Sequence, residues 1–199
     1  ENYEFDNGKY AYLIMSGNPL GSFYGYRYKG VYQNTEDTYA RDLNGNIIND
    51  INGKPVVVQN GTEKVYPGDA KYEDINGDGV IDANDIVYLG NYSPKIIGGF
   101  NFRLSYKNWQ LSANFQGRVG QKVFNQTRLN SEMMRGKSNQ STATLRRWRN
   151  EGDVTDMPRA LYGRGYNSLG SERYIEDASF LRMKTITLKY SFPKNLTKK

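Results

Sequence analysis

The run Asp74-Ile75-Asn76-Gly77-Asp78-Gly79-Val80-Ile81-Asp82-Ala83-Asn84-Asp85 places oxygen-bearing side chains at the spacing of a twelve-position calcium loop. Asp74, Asn76 and Asp78 take the first, third and fifth positions, and Gly79 makes the sharp turn at the sixth. Val80 offers a backbone carbonyl, Asp82 sits at the ninth position, and Asp85 closes the loop where a bidentate Glu is usual. A hard cation needs several oxygens converging on one point, and this spacing predicts structural Ca2+ held by Asp74, Asn76, Asp78, Val80, Asp82 and Asp85. The alternative is an Asp/Asn/Gly turn without metal. Pro67-Gly68 lies shortly before Asp74, so no amphipathic helix leads into the loop and a helix-loop-helix sensor is not expected.

Other chemistry is limited by composition. The chain has no histidine and no cysteine, which removes a His-based triad, a His- or thiolate-bound zinc and a His general base. The adjacent Glu176-Asp177 would point to opposite sides of a strand, so no acid/base pair is formed there and no enzyme is expected. The net charge of +6 is modest and scattered, and the short Arg146-Arg147-Trp148-Arg149 cluster stands isolated, so nucleic acid is not an expected partner. Tyr162, Tyr166 and Tyr174, in a long polar stretch, are candidate stacking surfaces for a substrate.

Seventeen Tyr, eight Phe and 21 Gly favour strands and turns over helices. The clearest element is a long hairpin over 96–119. Ile96, Phe100, Phe102, Leu104 and Tyr106 share one face of its first arm, with Asn101, Arg103 and Ser105 on the other. Past Lys107-Asn108 the pattern repeats, with Trp109, Leu111, Ala113, Phe115 and Val119 against Gln110, Ser112, Asn114, Gln116 and Arg118. Each arm has the length of a tilted membrane-crossing strand, roughly 9–11 residues. Strands are expected at about 9–15, 22–33, 95–106, 109–119 and 180–192. Tyr24 and Tyr26 are expected on an oily face of the second, and Ile186, Leu188, Tyr190 and Phe192 on that of the last. A small hairpin is expected around Asn44-Gly45 and Asn52-Gly53, and a short helix over 141–149.

Short links alternate with long polar connections at 34–94 and 120–179. Two structureless connections of about 60 residues would count against these strands in a compact soluble domain, but suit a barrel with long outer loops. The fold class this implies is all-β, with antiparallel strands of a partial transmembrane β-barrel. Alternation alone also describes a soluble sheet, so a soluble calcium-stabilised β-domain that binds carbohydrate or protein stands beside it. Tyr106 and Trp109 flank the tight turn, where an interfacial aromatic girdle belongs.

Several stretches in order resemble the SusC/RagA family of TonB-dependent outer-membrane transporters from Bacteroidetes. They are Pro19-Leu20-Gly21-Ser22-Phe23-Tyr24-Gly25-Tyr26, Pro67-Gly68-Asp69-Ala70-Lys71-Tyr72, the run from Asp74 to Asp82, Leu89-Gly90-Asn91, Gly99-Phe100-Asn101, Leu111-Ser112-Ala113-Asn114-Phe115-Gln116-Gly117, Arg147-Trp148, Pro158-Arg159 and Ile175-Glu176-Asp177-Ala178-Ser179-Phe180-Leu181-Arg182. The resemblance implies a barrel of roughly 22 strands with an N-terminal plug. It also implies an outer-membrane location, a SusD-like surface lipoprotein partner, TonB as the energy coupling, and oligosaccharide or peptide as cargo. Against that pattern the chain is expected to be a barrel fragment without plug, TonB-box segment or final strands. Loops 34–94 and 120–179 are expected to face outward, where substrate or the lipoprotein could meet them.

Overall fold

The computed structural model describes residues 16–163 and 165–193. The expected strand at 9–15 lies outside them. The described strands are β1 (Ser22–Gly25), β2 (Tyr28–Val31), β3 (Gln59–Asn60), β4 (Glu63–Lys64), β5 (Ala70–Tyr72), β6 (Val80–Ile81), β7 (Val87–Asn91), β8 (Ile96–Tyr106), β9 (Trp109–Val119), β10 (Lys122–Phe124), β11 (Ile175–Asp177) and β12 (Phe180–Tyr190), with one α-helix, α1 (Gln126–Glu132). Among the described residues no helix is long and apolar enough to cross a membrane, which says nothing of strands. The chain divides into two compact units. One holds the described residues up to Gly90 with Phe124–Glu176, and the other holds Asn91–Val123 with the described residues from Asp177 onward.

The second unit is built on a three-stranded antiparallel sheet in the order β12-β9-β8. β8 and β9 pair in continuous register from Ile96↔Val119 to Tyr106↔Trp109, closed by Lys107 and Asn108. Lys107 adopts φ 48°, the left-handed conformation a two-residue link requires. Side chains directly opposite share a face, so register turns alternation into rows. The oily face carries Phe100/Phe115/Met183, Phe102/Ala113/Ile186, Leu104/Leu111/Leu188 and Tyr106/Trp109/Tyr190. The opposite face carries Asn101/Asn114/Thr185, Arg103/Ser112/Thr187 and Ser105/Gln110/Lys189.

A β-bulge between Met183 and Thr185 corrects the parity of β12. Strict alternation would place Arg182 and Lys184 beside Ile186 and Leu188. The extra residue lets Leu181 and Met183 join the oily face while Arg182 pairs with Gln116 on the polar one.

In the first unit the segments expected to be structureless are short strands and 3-10 turns closing over a tyrosine-rich core. Tyr26, Tyr32, Val58, Val65, Tyr72, Ile81 and Leu169 pack together. Each large ring supplies apolar area, and the hydroxyl needs a partner once buried. The Tyr72 hydroxyl donates to the Tyr166 carbonyl at 2.9 Å, and that of Tyr28 to the Asp156 carbonyl at 2.6 Å. The expected strand 22–33 is interrupted at Tyr26-Arg27, leaving β1 paired with β7 and β2 with β5. Tyr24 and Tyr26 are therefore not lipid-facing. Both are buried, Tyr24 against Tyr88 with ring centroids 5.9 Å apart and Tyr26 against Tyr72 at 5.6 Å. The expected turns at Asn44-Gly45 and Asn52-Gly53 form two successive tips, bridged Arg41↔Ile47 and Asn49↔Pro55. In each, an Asp (Asp42 or Asp50) accepts two backbone N–H groups across the turn at 2.8–2.9 Å. The helix over 141–149 is shorter, a 3-10 turn at Thr142–Arg146.

A buried ion pair ties remote segments of this unit. Arg173 Nη2 donates to Glu132 Oε2 at 3.0 Å, and Arg173 Nη1 to the Tyr28 hydroxyl at 3.2 Å. Arg128 Nε holds the other Glu132 oxygen at 3.1 Å. Shared this way, both charges keep hydrogen-bond partners out of water, which burial demands.

Candidate functional site

Three surfaces carry chemistry. The first is the sheet of β8, β9 and β12. Phe100, Phe102, Leu104, Tyr106, Trp109, Met183, Ile186 and Leu188 are all solvent-exposed, and among the described residues of their unit no second layer lies over them. Phe115, on the central strand, is half-buried, its ring stacked on Phe100 with centroids 4.6 Å apart and planes 7° apart and lying 6.3 Å from Phe102. An exposed oily face this large needs a non-aqueous neighbour. In the row at the hairpin turn the Trp109 and Tyr190 ring centroids lie 4.7 Å apart, and those of Tyr190 and Phe192 5.0 Å apart.

The second is the acidic loop. Among the described residues no three Asp or Glu side chains gather as a metal-holding group, and the calcium expected at Asp74, Asn76, Asp78, Val80, Asp82 and Asp85 draws in addition on an amide and a backbone carbonyl. The loop also closes on itself. Gly77 and Gly79 N–H groups donate to the two Asp74 oxygens, both at 2.7 Å. Val80 N–H and Asn76 Nδ2 donate to Asp78, both at 2.8 Å, and Asn84 N–H donates to Asp82 at 2.7 Å. Asp85 is 0 % exposed and accepts from Ile75 N–H at 2.7 Å and Asp82 N–H at 2.9 Å. It acts as a pin for a capping box at a 3-10 turn. Burial pushes its carboxyl above the usual carboxylate value, partly offset by those two N–H donors.

The third is a cleft of about 450 Å³ in the first unit, lined by Asn60, Glu63, Lys64, Tyr66, Asp69, Arg159, Tyr166 and Asn167 among others. Its wall is set by a bidentate pair, Arg159 to Asp69 at 2.7 and 3.1 Å, with Asn167 Nδ2 donating to Asp69 at 3.2 Å. Asn167 in turn accepts from Ala70 N–H at 2.8 Å, fixing the wall to β5. The Arg159 guanidinium lies 5.5 Å from the centre of the Tyr66 ring, a cation–π contact.

The three tyrosines expected to meet substrate are not brought together. Tyr166 lines the cleft. Tyr162 is 69 % exposed and is not among the cleft-lining residues. Tyr174 is 1 % exposed, packed beside Arg173 in the core, and offers no surface for stacking. Sequence reasoning missed Tyr66, Asn60 and Arg159. Only Pro158-Arg159, among the family-like stretches, signalled one of them.

The fold and these surfaces define a class: an all-β chain whose antiparallel sheet has one oily and one wet side, with polar excursions between long strands. No protein-family model matches the chain. It is 33 % identical over 180 residues to TonB-dependent receptor P26 of Formosa agariphila, covering 90 % of this chain and 16 % of that protein. It is 28 % identical over 143 residues to TonB-dependent receptor SusC of Bacteroides thetaiotaomicron, covering 72 % of this chain and 12 % of that protein. A structure of the RagAB peptide transporter has the same fold with a TM-score of 0.56 at 22 % identity, covering 92 % of this chain and 18 % of the matched chain. The chain is thus similar to a stretch of TonB-dependent receptors, SusC among them, and it spans under a fifth of the length of each of these relatives.

Proposed function

We propose that this chain forms barrel wall and outward loops of an outer-membrane, TonB-dependent importer of oligosaccharides or peptides that works with a SusD-like surface lipoprotein. The supporting observation is the uncovered oily face of β8, β9 and β12, backed by a polar face of amides, hydroxyls and guanidiniums. A closed barrel puts acyl chains against the first and water against the second, which satisfies both without a second protein layer. In this reading the first unit is an extracellular excursion, and loops 34–94 and 120–179 meet cargo or lipoprotein. The chain contributes structure and recognition, not catalysis.

The chain itself holds no cysteine, so single cysteines placed in it, within a full-length receptor whose other cysteines are replaced by serine, give a clean test in cells. A membrane-impermeant thiol reagent is expected to label Asn101→Cys and Ser105→Cys through the lumen and to leave Phe102→Cys and Leu104→Cys unlabelled. Equal labelling of both sets would show water on both faces and favour a soluble β-domain.

A further inference from the structure

We propose that Arg118 and Arg182, neighbours on the wet face of the three-stranded sheet, bind an oxyanion (a sulfate, phosphate or carboxylate group) between their two guanidiniums. Arg118 on β9 is paired with Phe180 on β12, and Arg182 on β12 with Gln116 on β9, so the two arginines are diagonal neighbours on one face of adjacent strands. Such partners lie about 7–8 Å apart at Cα, within reach of long side chains. The Arg182 guanidinium lies over the Phe180 ring, 5.2 Å from its centre, which brings it toward the row that holds Arg118 and keeps it there.

Nothing on the sheet neutralises the pair. β8, β9 and β12 contain no Asp or Glu, whereas Arg103, Arg118, Arg182 and Lys189 stand on the wet face. Asp177, the one carboxylate among the described residues of this unit, is taken by Ser179, whose N–H donates to it at 2.9 Å and whose hydroxyl donates at 2.6 Å. Among the described residues neither Arg118 nor Arg182 has an ion pair, and both are exposed. Two like charges held this close repel, and an anion shared between them turns that repulsion into attraction. Each guanidinium presents a fork of N–H donors that matches the oxygens of a carboxylate, sulfate or phosphate. Room lies beside them. Gly99, the β8 member of the Arg182 row, adds no side chain, and with Ile97, Asn101, Asn114, Gln116 and Lys184 it lines a depression of about 460 Å³. Gln116 brings an amide donor to that depression and Lys184 a third cation. A neutral or cationic solute gains nothing from such a cluster. The inference goes beyond the importer reading and needs only the register of the sheet.

The test is calorimetric titration of the full-length receptor, in neutral detergent, with sodium sulfate at an ionic strength held constant with sodium chloride. Saturable sulfate binding is expected. Its affinity should fall about tenfold in Arg118→Gln and in Arg182→Gln, the size of one lost charge-assisted hydrogen bond. Arg182→Lys, which keeps the charge and loses the fork, should weaken it by a smaller factor. Arg103→Gln, two rows further along the same face, should leave it unchanged. Circular dichroism melting identifies a glutamine variant that has merely unfolded, and the lysine variant then carries the test. Absence of sulfate binding, binding that survives Arg118→Gln with Arg182→Gln, or an equal loss in Arg103→Gln (the mark of diffuse charge) overturns the proposal. The cysteine-labelling pattern of the sheet is untouched by any of these results, so failure here is separable from failure of the barrel reading.

Discussion

Replacing Phe102 with Arg tests whether β8 crosses a bilayer. Phe102 lies four residues from Tyr106, in the row shared with Ala113 and Ile186. Four residues at about 3.4 Å each, on a strand tilted about 40°, put it roughly 10 Å below the aromatic row. The apolar band of such barrels is about 25 Å tall, so Phe102 sits near the midplane. The oily face holds no acidic side chain within the rows above, so an arginine there finds no partner. At that depth it should cost about 2–4 kcal/mol, roughly thirty to several hundred-fold in the folding equilibrium. Asn101→Arg, one residue away on the opposite face, should cost under about 1 kcal/mol, because Arg103 already sits on that side. The assay is urea unfolding of the full-length receptor in liposomes, followed by the gel shift of folded against unfolded barrel. A Phe102→Arg variant no less stable than Asn101→Arg would refute the bilayer placement. Tyr106→Arg, at the end of the strand, should fall between the two.

Three further outcomes follow from the first unit. Gly68 has φ +89°, and a Cβ there would lie 2.3 Å from Trp148 Cε3, so Gly68→Ala should cost about 2–4 kcal/mol; Gly152→Ala, with φ +98° and nothing within 4 Å, should cost about 1 kcal/mol. Equal melting losses would disprove the clash. Glu132→Gln, which uncouples buried Arg173, should cost about 3–5 kcal/mol in denaturant unfolding, whereas Arg146→Ala, removing the exposed pair with Asp156, should cost under about 1 kcal/mol. For the acidic loop, the Asp85 carboxyl titrates above its unfolded value, so the folded form holds the proton more tightly and the stability this contributes is lost as pH rises through the folded value. Glu73 runs the other way. Burial raises its carboxyl but Lys29 and Arg27 lower it further, so its contribution is lost as pH falls through the folded value. Hydrogen exchange of residues 74–85 between pH 4 and 7 should show Asp85→Asn losing the first dependence and Glu73→Gln leaving it intact. Millimolar calcium separates the two readings of that loop: a gain in protection abolished by Asp74→Asn with Asp78→Asn is the outcome the spacing predicts, and unchanged protection is the outcome of an Asp/Asn/Gly turn without metal.

The hairpin was legible because everything that defines it is local: alternation fixes faces, and a two-residue link fixes register. The bulge in β12 was not. It depends on Met183 and Thr185 meeting Phe115 and Asn114 on another strand, and no periodicity within 180–190 reports it. The tyrosines of 22–32 show the same limit from the other side. Their spacing matches an oily strand face, but whether Tyr24 and Tyr26 meet lipid or protein is decided by β7 and β5, contributed by residues far along the chain. In the cleft, Tyr166 was legible as an aromatic in a polar stretch. Asn60 had no signal of its own and Arg159 only its place in the family-like Pro158-Arg159, since the cleft arises only when segments about a hundred residues apart close on each other.

The amino-acid order by itself determined the kind of surface each strand presents, the turns that reverse the chain, and the absence of histidine and thiol chemistry. Those are properties of a residue and its near neighbours. Only the tertiary structure decided which oily faces stay uncovered, that the acidic loop spends its carboxylates on its own backbone, and that Arg118 and Arg182 become neighbours on one face. Each of these is a matter of which distant group fills the space beside a side chain, and chain connectivity alone does not specify that neighbour.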